Sequence, residues 1–328
     1  MRASMTPDRD QPISDLGEDG VVALLRAVFP PPDDGIGIGD DAAVLAAPGA
    51  RLAFTTDTLM ESVDFERSYF PGADLGWKAL AVNVSDIAAM GGTPATALAT
   101  LCLPADTSVG FVQEIATGMA AAAREWGVRV VGGDLSRADR VSLGVALLGS
   151  VDRPRLRSGA LVGDAICVTG RFGGSRGGLE LLRNDAGATG YLVERHRRPR
   201  ARLREAVALV PFDVTAMIDV SDGCVIDLSR LLRASEVGCA VDPGAVPVDP
   251  ELWAVPGLGA TEAALFGGED FELLFTLGED GWEEAAAAVQ ATGTEVTRIG
   301  TVTDGARLFG DRRLDEMEEA SWDHLRNP

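Results

Sequence analysis

Two consecutive α/β (α+β) domains are the architecture this sequence predicts, the first a largely antiparallel mixed sheet with helices and the second an α/β domain. Short apolar strands and alanine-rich helices follow one another in the order β-β-α-β-α-β-β through Val151. The polar, proline-containing stretch Asp152–Ser158 (D-R-P-R-L-R-S) then interrupts them, and a strand–helix alternation restarts beyond it. The chain has 328 residues, 46% of them hydrophobic, enough for two cores. The domains expected are 1–152 and 153–328.

The elements follow from periodicity and punctuation. Ser14 to Phe29 carries apolar residues at helical spacing and stops at Pro30–Pro32. Ala42–Ala47 and Arg51–Thr56 read as a strand pair around Pro48–Gly49. Asp74 can cap a helix that runs to Met90 and ends at Gly91. Thr96–Leu103 is a strand closed by Pro104, Ser108–Trp126 a helix ended by Gly127, and Val128–Val131 and Val141–Val151 are strands. In the second half the expected strands are Ala165–Thr169, Ala216–Asp219, Cys239–Val241, Phe271–Thr276 and Val296–Ile299. The helices are Ser175–Leu182, Arg200–Leu209, Cys224–Glu236 and Gly281–Ala291, with Gly244–Gly259 as a loop.

Composition excludes several functions. Fifty acids against 29 basic residues give a formal charge of −21, which disfavours nucleic acid and anionic membranes as partners. Lys78 is the only lysine, and it lies in no G-x-x-x-x-G-K-[ST] loop, so a Walker-type route to ATP is closed. The four cysteines form no C-x-x-C pair and read as reduced core residues. Met1 to Pro12 has no apolar h-region and no apolar run reaches membrane-spanning length, so a cytoplasmic location is expected.

Acids recur where apolar runs meet glycines or hydroxyls: Gly37–Asp41, Thr55–Thr56–Asp57, Gly132–Gly133–Asp134, Asp219–Gly223 and Gly267–Asp270. Each alone is also what an ordinary turn, strand end or helix cap uses. Asp86 differs, because it sits between Val82, Val84, Ile87, Ala88 and Ala89. A buried carboxylate needs either a pair with Lys78 or an arginine, or a metal, and the metal is preferred. Together the acids and hydroxyls read as oxygen ligands for several magnesium ions around a polyphosphate. The Gly173–Gly178 run lacks dinucleotide-fold spacing and is expected to be a tight strand-to-helix turn. His196, among arginines in Arg195–Arg198, reads as a solvated or phosphate-facing patch, and His324 is near the chain's end, so zinc or a histidine base is not expected.

The strings G-I-G-D-D-A-A-V-L, T-T-D-T-L, W-K-A-L-A-V-N-V-S-D-I-A-A-M-G-G, G-G-D-L-S-R, I-D-V-S-D-G and G-G-E-D-F-E-L-L-F-T occur in this order between Gly37 and Thr276, and carry a resemblance that runs from about Ser14 to His324. In them the chain resembles the thiamine-monophosphate kinases, of the superfamily that holds aminoimidazole ribonucleotide and selenophosphate synthetases. The resemblance implies a two-domain synthetase-like fold whose N-terminal sheet forms a barrel in a homodimer. It implies magnesium ligation by Asp41, Thr55, Thr56, Asp57, Asp86, Asp134, Asp219 and Asp222. It implies ATP at Gly133, Asp134, Arg157 and Ser221, and the thiamine moiety at position 64, Glu269 and Trp322. Where the family pattern has a histidine, this chain has Asp64, a carboxylate that can face a cationic thiazolium ring; Leu135 stands where a hydroxyl residue is common.

The reaction implied moves the γ-phosphoryl of ATP in line onto thiamine monophosphate. The acceptor phosphate, with a second pKa near 6, is largely dianionic at neutral pH and needs no general base. The obstacle is repulsion, roughly 4 kcal/mol per charge pair at about 4 Å and an effective dielectric near 20, which magnesium offsets. Two alternatives stand beside it: another ATP-dependent member of the superfamily, and a non-catalytic nucleotide-binding homologue. Selenophosphate synthesis wants a reactive cysteine near the N-terminus, and none precedes Cys102.

Overall fold

The computed structural model describes residues 35–318 except Pro48, together with Asp19, Gly20, Val22, Ala23 and Arg26. Of the helix expected over Ser14–Phe29, only those five positions are described, and all are helical. Trp322 and His324 lie outside the described residues.

The first half yields β1 (Ala43–Ala47), β2 (Ala50–Met60), α1 (Gly72–Ala89), β3 (Thr93–Leu103), α2 (Val109–Trp126), β4 (Arg129–Arg137) and β5 (Ser142–Ser150). This is the β-β-α-β-α-β-β order read from the sequence. The strands form one sheet in the order β1-β2-β5-β3-β4, antiparallel except for β3 with β4. Alternation explains which face is covered: Leu143, Val145 and Leu147 of β5 point into the core, and their neighbours do not. The edge strand β4 is exposed at every residue.

Two strand ends move. Thr55–Thr56–Asp57 lies inside β2 and Gly132–Gly133–Asp134 inside β4, not beyond their ends. Polar and glycine residues look like terminators, yet a strand facing a cleft or an open edge accommodates them.

Beyond the connector come β6 (Ala165–Thr169), α3 (Gly174–Asn184), α4 (Tyr191–Arg197), α5 (Leu203–Leu209), β7 (Val214–Val220), α6 (Cys224–Ala234), β8 (Gly238–Val241), α7 (Ala260–Phe266), β9 (Glu272–Leu277), α8 (Trp282–Gln290), β10 (Val296–Thr303), β11 (Arg307–Phe309) and β12 (Arg312–Arg313). They build a second, mixed sheet in the order β12-β11-β8-β10-β6-β9-β7. Of the Gly173–Gly178 run expected to be a tight turn, only Gly173, with φ of 87°, turns the chain; Gly174–Gly178 already belong to α3. Helices α4 and α7 and the pair β11–β12 went unread in the sequence. The loop expected at Gly244–Gly259 carries two short 3-10 turns. Cys167, Cys224 and Cys239 are buried and free, as expected.

Helix α1 joins the halves. Fourteen of its 18 residues are buried, the pattern of a helix enclosed on all sides. Leu75, Leu80, Val84 and Ile87 enter the first core, while Ala88 and Ala89 join Leu273 and Phe275 under the second sheet. Helix α2 crosses it so closely that a Cβ at Gly118 would lie 1.7 Å from the Ala73 carbonyl, so only glycine fits. No helix among the described residues is long and apolar enough to cross a membrane.

Candidate active site between the two sheets

Four elements aim acids at one place. Asp86 comes from the buried helix α1, Asp219 from the end of β7, Asp57 from β2, and Asp41 from the turn before β1. Carboxylate oxygens of Asp41, Asp86 and Asp219 all lie within 4.8 Å of one another. Each acid is held by a neighbour: the Thr55 hydroxyl donates to Asp86 at 2.5 Å, the Ser85 hydroxyl to Asp219 at 2.5 Å, and Arg157 Nη2 to Asp41 at 2.7 Å. The Arg157 amide also donates to Asp40 at 2.8 Å.

The alternative reading of Asp86 as half of an ion pair fails. Among the described residues no lysine or arginine pairs with it; Lys78 instead lies 2.5 Å from Glu269. Burial, then repulsion from Asp57, Asp219 and Asp41, pushes the Asp86 carboxyl well above the ordinary carboxylate range. Burial and the Asp41 charge do the same to Asp219. Oδ2 of Asp41 is buried with no hydrogen-bond partner among the described residues. Three converging carboxylates, a hydroxyl beside them and an orphaned carboxylate oxygen are a donor set that fits a divalent cation.

Beside this cluster opens a cleft of about 790 Å³ whose lining includes Asp57, Asp64, Asp86, Asp219, Ser221, Asp222 and Glu269. Gly268 brings its floor together: a Cβ there would sit 2.5 Å from the Ser221 carbonyl, so the Gly267–Asp270 loop touches the turn after β7. Asp64 closes the turn after β2, where its carboxylate accepts from the Met60 amide at 2.7 Å. Burial raises the Glu269 carboxyl, but Lys78 and then His196 more than offset it and hold it at about 2.

Other expected site residues are engaged by the protein itself or stand away from the cleft. Thr56 points to the opposite face of β2 from Thr55 and Asp57, and its hydroxyl donates to the Val145 carbonyl at 2.9 Å. Asp222 is paired with Arg230, which also holds Asp227 at 2.9 Å. Gly133 and Asp134 do not line the cleft. The register runs Thr58–Gly144–Thr100–Asp134 across three strand spacings, roughly 14 Å at about 4.8 Å each, because β4 is at the far edge.

The patch expected at Arg195–Arg198 is solvated only at Arg198. His196 is 2% exposed with Nδ1 3.2 Å from Glu269, Arg195 pairs with Asp270 and Glu272, and Arg198 with Asp74. A signal existed: Leu192, Val193 and His196 share a helical face. Lys78, Arg176 and Arg183 were also unread as parts of the site, although both arginines line the cleft.

Residues 39–151 match the N-terminal domain of the AIR synthase related proteins and residues 162–312 match their C-terminal domain. Thiamine-monophosphate kinase of Aquifex aeolicus is 36% identical over 320 residues, covering 95% of this chain and 99% of that protein. The Escherichia coli K12 enzyme of the same name is 36% identical over 304 residues, covering 89% of this chain and 93% of that protein. The solved structure of AaThiL complexed with AMPPCP and TMP superposes with a TM-score of 0.85 at 33% identity, covering 97% of this chain and all of that one. The chain therefore belongs to the thiamine-monophosphate kinase family.

Proposed function

We propose that this chain phosphorylates thiamine monophosphate with ATP, giving thiamine diphosphate and ADP. One observation carries the reading: Asp41, Asp86 and Asp219 converge within 4.8 Å beside a cleft large enough for both substrates. The relative solved with AMPPCP, an analogue of ATP, and TMP matches nearly the whole chain.

Asp41, Asp86, Asp219 and Asp57 would hold magnesium, with Thr55 orienting Asp86 and Ser85 orienting Asp219. Magnesium bound there supplies the positive charge that lets two anionic reactants approach. Arg157, fixed on Asp41, adds a cation at the nucleotide end, and Ser221 faces the same cleft. Glu269, ionised at neutral pH, meets the cationic ring of the acceptor, with Asp64 on the wall of the same cleft. No residue need remove a proton, since the attacking oxygen belongs to a phosphate dianion.

The enzyme acts as a homodimer in this reading. What supports it is β4, an edge strand with Val131 and Leu135 exposed, which a second copy can cover. Gly133 and Asp134 reach nucleotide only through such an assembly, given their distance from the acids of their own sheet. The roles of Thr56 and Asp222 as ligands would need release from Val145 and Arg230, and Trp322 stays with the acceptor by resemblance alone. The reading places the enzyme in the cytoplasm, with domains 1–152 and 153–328. Incubation with magnesium-ATP and thiamine monophosphate tests it: thiamine diphosphate and stoichiometric ADP are expected, and their absence from pure, folded protein would overturn it.

A further inference from the structure

The chain's only lysine is fully buried. Lys78 is 0% exposed, on the enclosed helix α1, with Nζ 2.5 Å from Glu269 Oε1 and no other acceptor among the described residues. Its ammonium also sits 5.4 Å from the Phe70 ring centroid. The second carboxylate oxygen is taken by His196, whose Nδ1 lies 3.2 Å from Oε2 and 3.0 Å from the Ser175 hydroxyl, while Nε2 has no partner among the described residues. Burial and the Lys78 charge push the His196 imidazole below its ordinary value, which favours a neutral ring whose Nδ1 stands between the carboxylate and the Ser175 hydroxyl.

Glu269 needs this holding. Its backbone has φ of +65° and that of Phe271 +49°, left-handed conformations that side chains other than glycine adopt at a cost of about 1–3 kcal/mol. Its amide donates to the Ser221 carbonyl at 2.6 Å. The Glu269 side chain is 29% exposed and lines the cleft, whereas Lys78 does not line it, so an incoming molecule meets the carboxylate before the ammonium. A buried ion pair contributes little net stability over apolar residues of the same volume. Its effect is therefore to be sought in where the carboxylate points.

We propose that Lys78 is a positioning residue: with His196 it fixes the Glu269 carboxylate toward the cleft and so sets the affinity for a cationic acceptor. The inference rests on the reading above that Glu269 meets the acceptor's positively charged ring. Lys78 itself touches no substrate, and the nucleotide side of the cleft does not depend on it.

Steady-state kinetics of wild type, K78M, K78R, E269Q and K78M/E269Q test this, with thiamine monophosphate and magnesium-ATP varied separately and the Tm of each protein recorded. K78M is expected to raise the KM for thiamine monophosphate about tenfold or more, the size of a 1.4 kcal/mol interaction, and to leave the KM for magnesium-ATP unchanged. K78R should recover part of the loss. In the E269Q background, adding K78M should cause no further rise, because Lys78 acts through Glu269; a merely structural lysine would give additive losses in both KM values. Should K78M not fold, E269Q against K78M/E269Q and wild type against K78R still decide. Additive losses, or an unchanged acceptor KM in folded K78M or K78R, overturn the inference while the functional reading stands. A wild type that makes no thiamine diphosphate takes down both.

Discussion

Replacing Asp86 by asparagine should make the metal-free protein more stable and the enzyme far slower. Asparagine has the same shape and its carbonyl can still accept from Thr55, so packing on α1 is kept. What is lost is one negative charge from a group whose oxygens lie within 4.8 Å of one another. At that distance and an effective dielectric near 20, each pair of unit charges repels by roughly 3.5 kcal/mol, and Asp86 has two such neighbours. The relief has a ceiling, since Asp86 takes up a proton rather than bear more. At 1.36 kcal/mol per pH unit between the ordinary value of 3.8 and about pH 7, that ceiling is about 4 kcal/mol. Thermal unfolding in a chelator should therefore show Asp86→Asn melting several degrees above wild type, at about 2–4 °C per kcal/mol for domains of this size. With saturating magnesium the order should reverse, because wild type gains binding free energy that the variant has largely lost. Turnover should fall by at least about 10²-fold, the scale of several kcal/mol of charge stabilisation. A chelated variant that melts below wild type, or a magnesium-induced shift equal to that of wild type, would refute the reasoning.

Three further outcomes follow from single side chains. Leu135 is 70% exposed on β4, so Leu135→Asp should convert the proposed dimer to a monomer in light scattering and depress turnover; a dimer with undiminished turnover would deny β4 an assembly role. Asp64→Ala removes the acceptor of the Met60 amide at the cleft wall, and should raise the KM for thiamine monophosphate while shifting Tm little; equal effects on the nucleotide KM would place Asp64 elsewhere. Burial lifts the Asp270 carboxyl to about 7, against an ordinary 3.8, despite Arg195 and two backbone donors. The folded state then binds more protons than the unfolded one across that window, so Asp270 costs stability as pH rises through it. Asp270→Asn should accordingly gain on wild type between about pH 4 and about pH 7 in urea titrations and level off above, and a constant difference would contradict the shift.

The order of elements was legible because strand and helix periods differ, and the acids of the cluster were legible because each is an odd residue in an apolar run. Asp86 is the clearest case, a carboxylate in a helix whose surroundings leave it no cation. What escaped were features made only in three dimensions. His196 and its arginines look solvated in sequence, yet their partners Asp74, Asp270 and Glu272 come from segments 70 or more residues away. Helices α4 and α7 have seven residues each, two turns, too few for a 3.6-residue period to stand out from a short buried strand. Asp134 was grouped with the other acids because G-G-D looks like a strand end. Strand order, which no local pattern reveals, put it across the sheet.

Helix α1 carries the geometry that unites the two ends of the cleft. Lys78 and Asp86 are eight residues apart on one rigid, enclosed helix, roughly 12 Å at 1.5 Å per residue. One end pairs with Glu269, which the proposed function sets against a cationic ring, and the other carries one of the three converging carboxylates. In the proposed reaction a fixed spacing would let the acceptor be held at its cation while its phosphate reaches the polyphosphate. A loop could not hold both ends in register, and a surface helix would leave Lys78 free to swing toward water. Burial of α1 between two sheets is thus tied to function through rigidity: the same enclosure that raises the pKa of Asp86 fixes where Glu269 can stand.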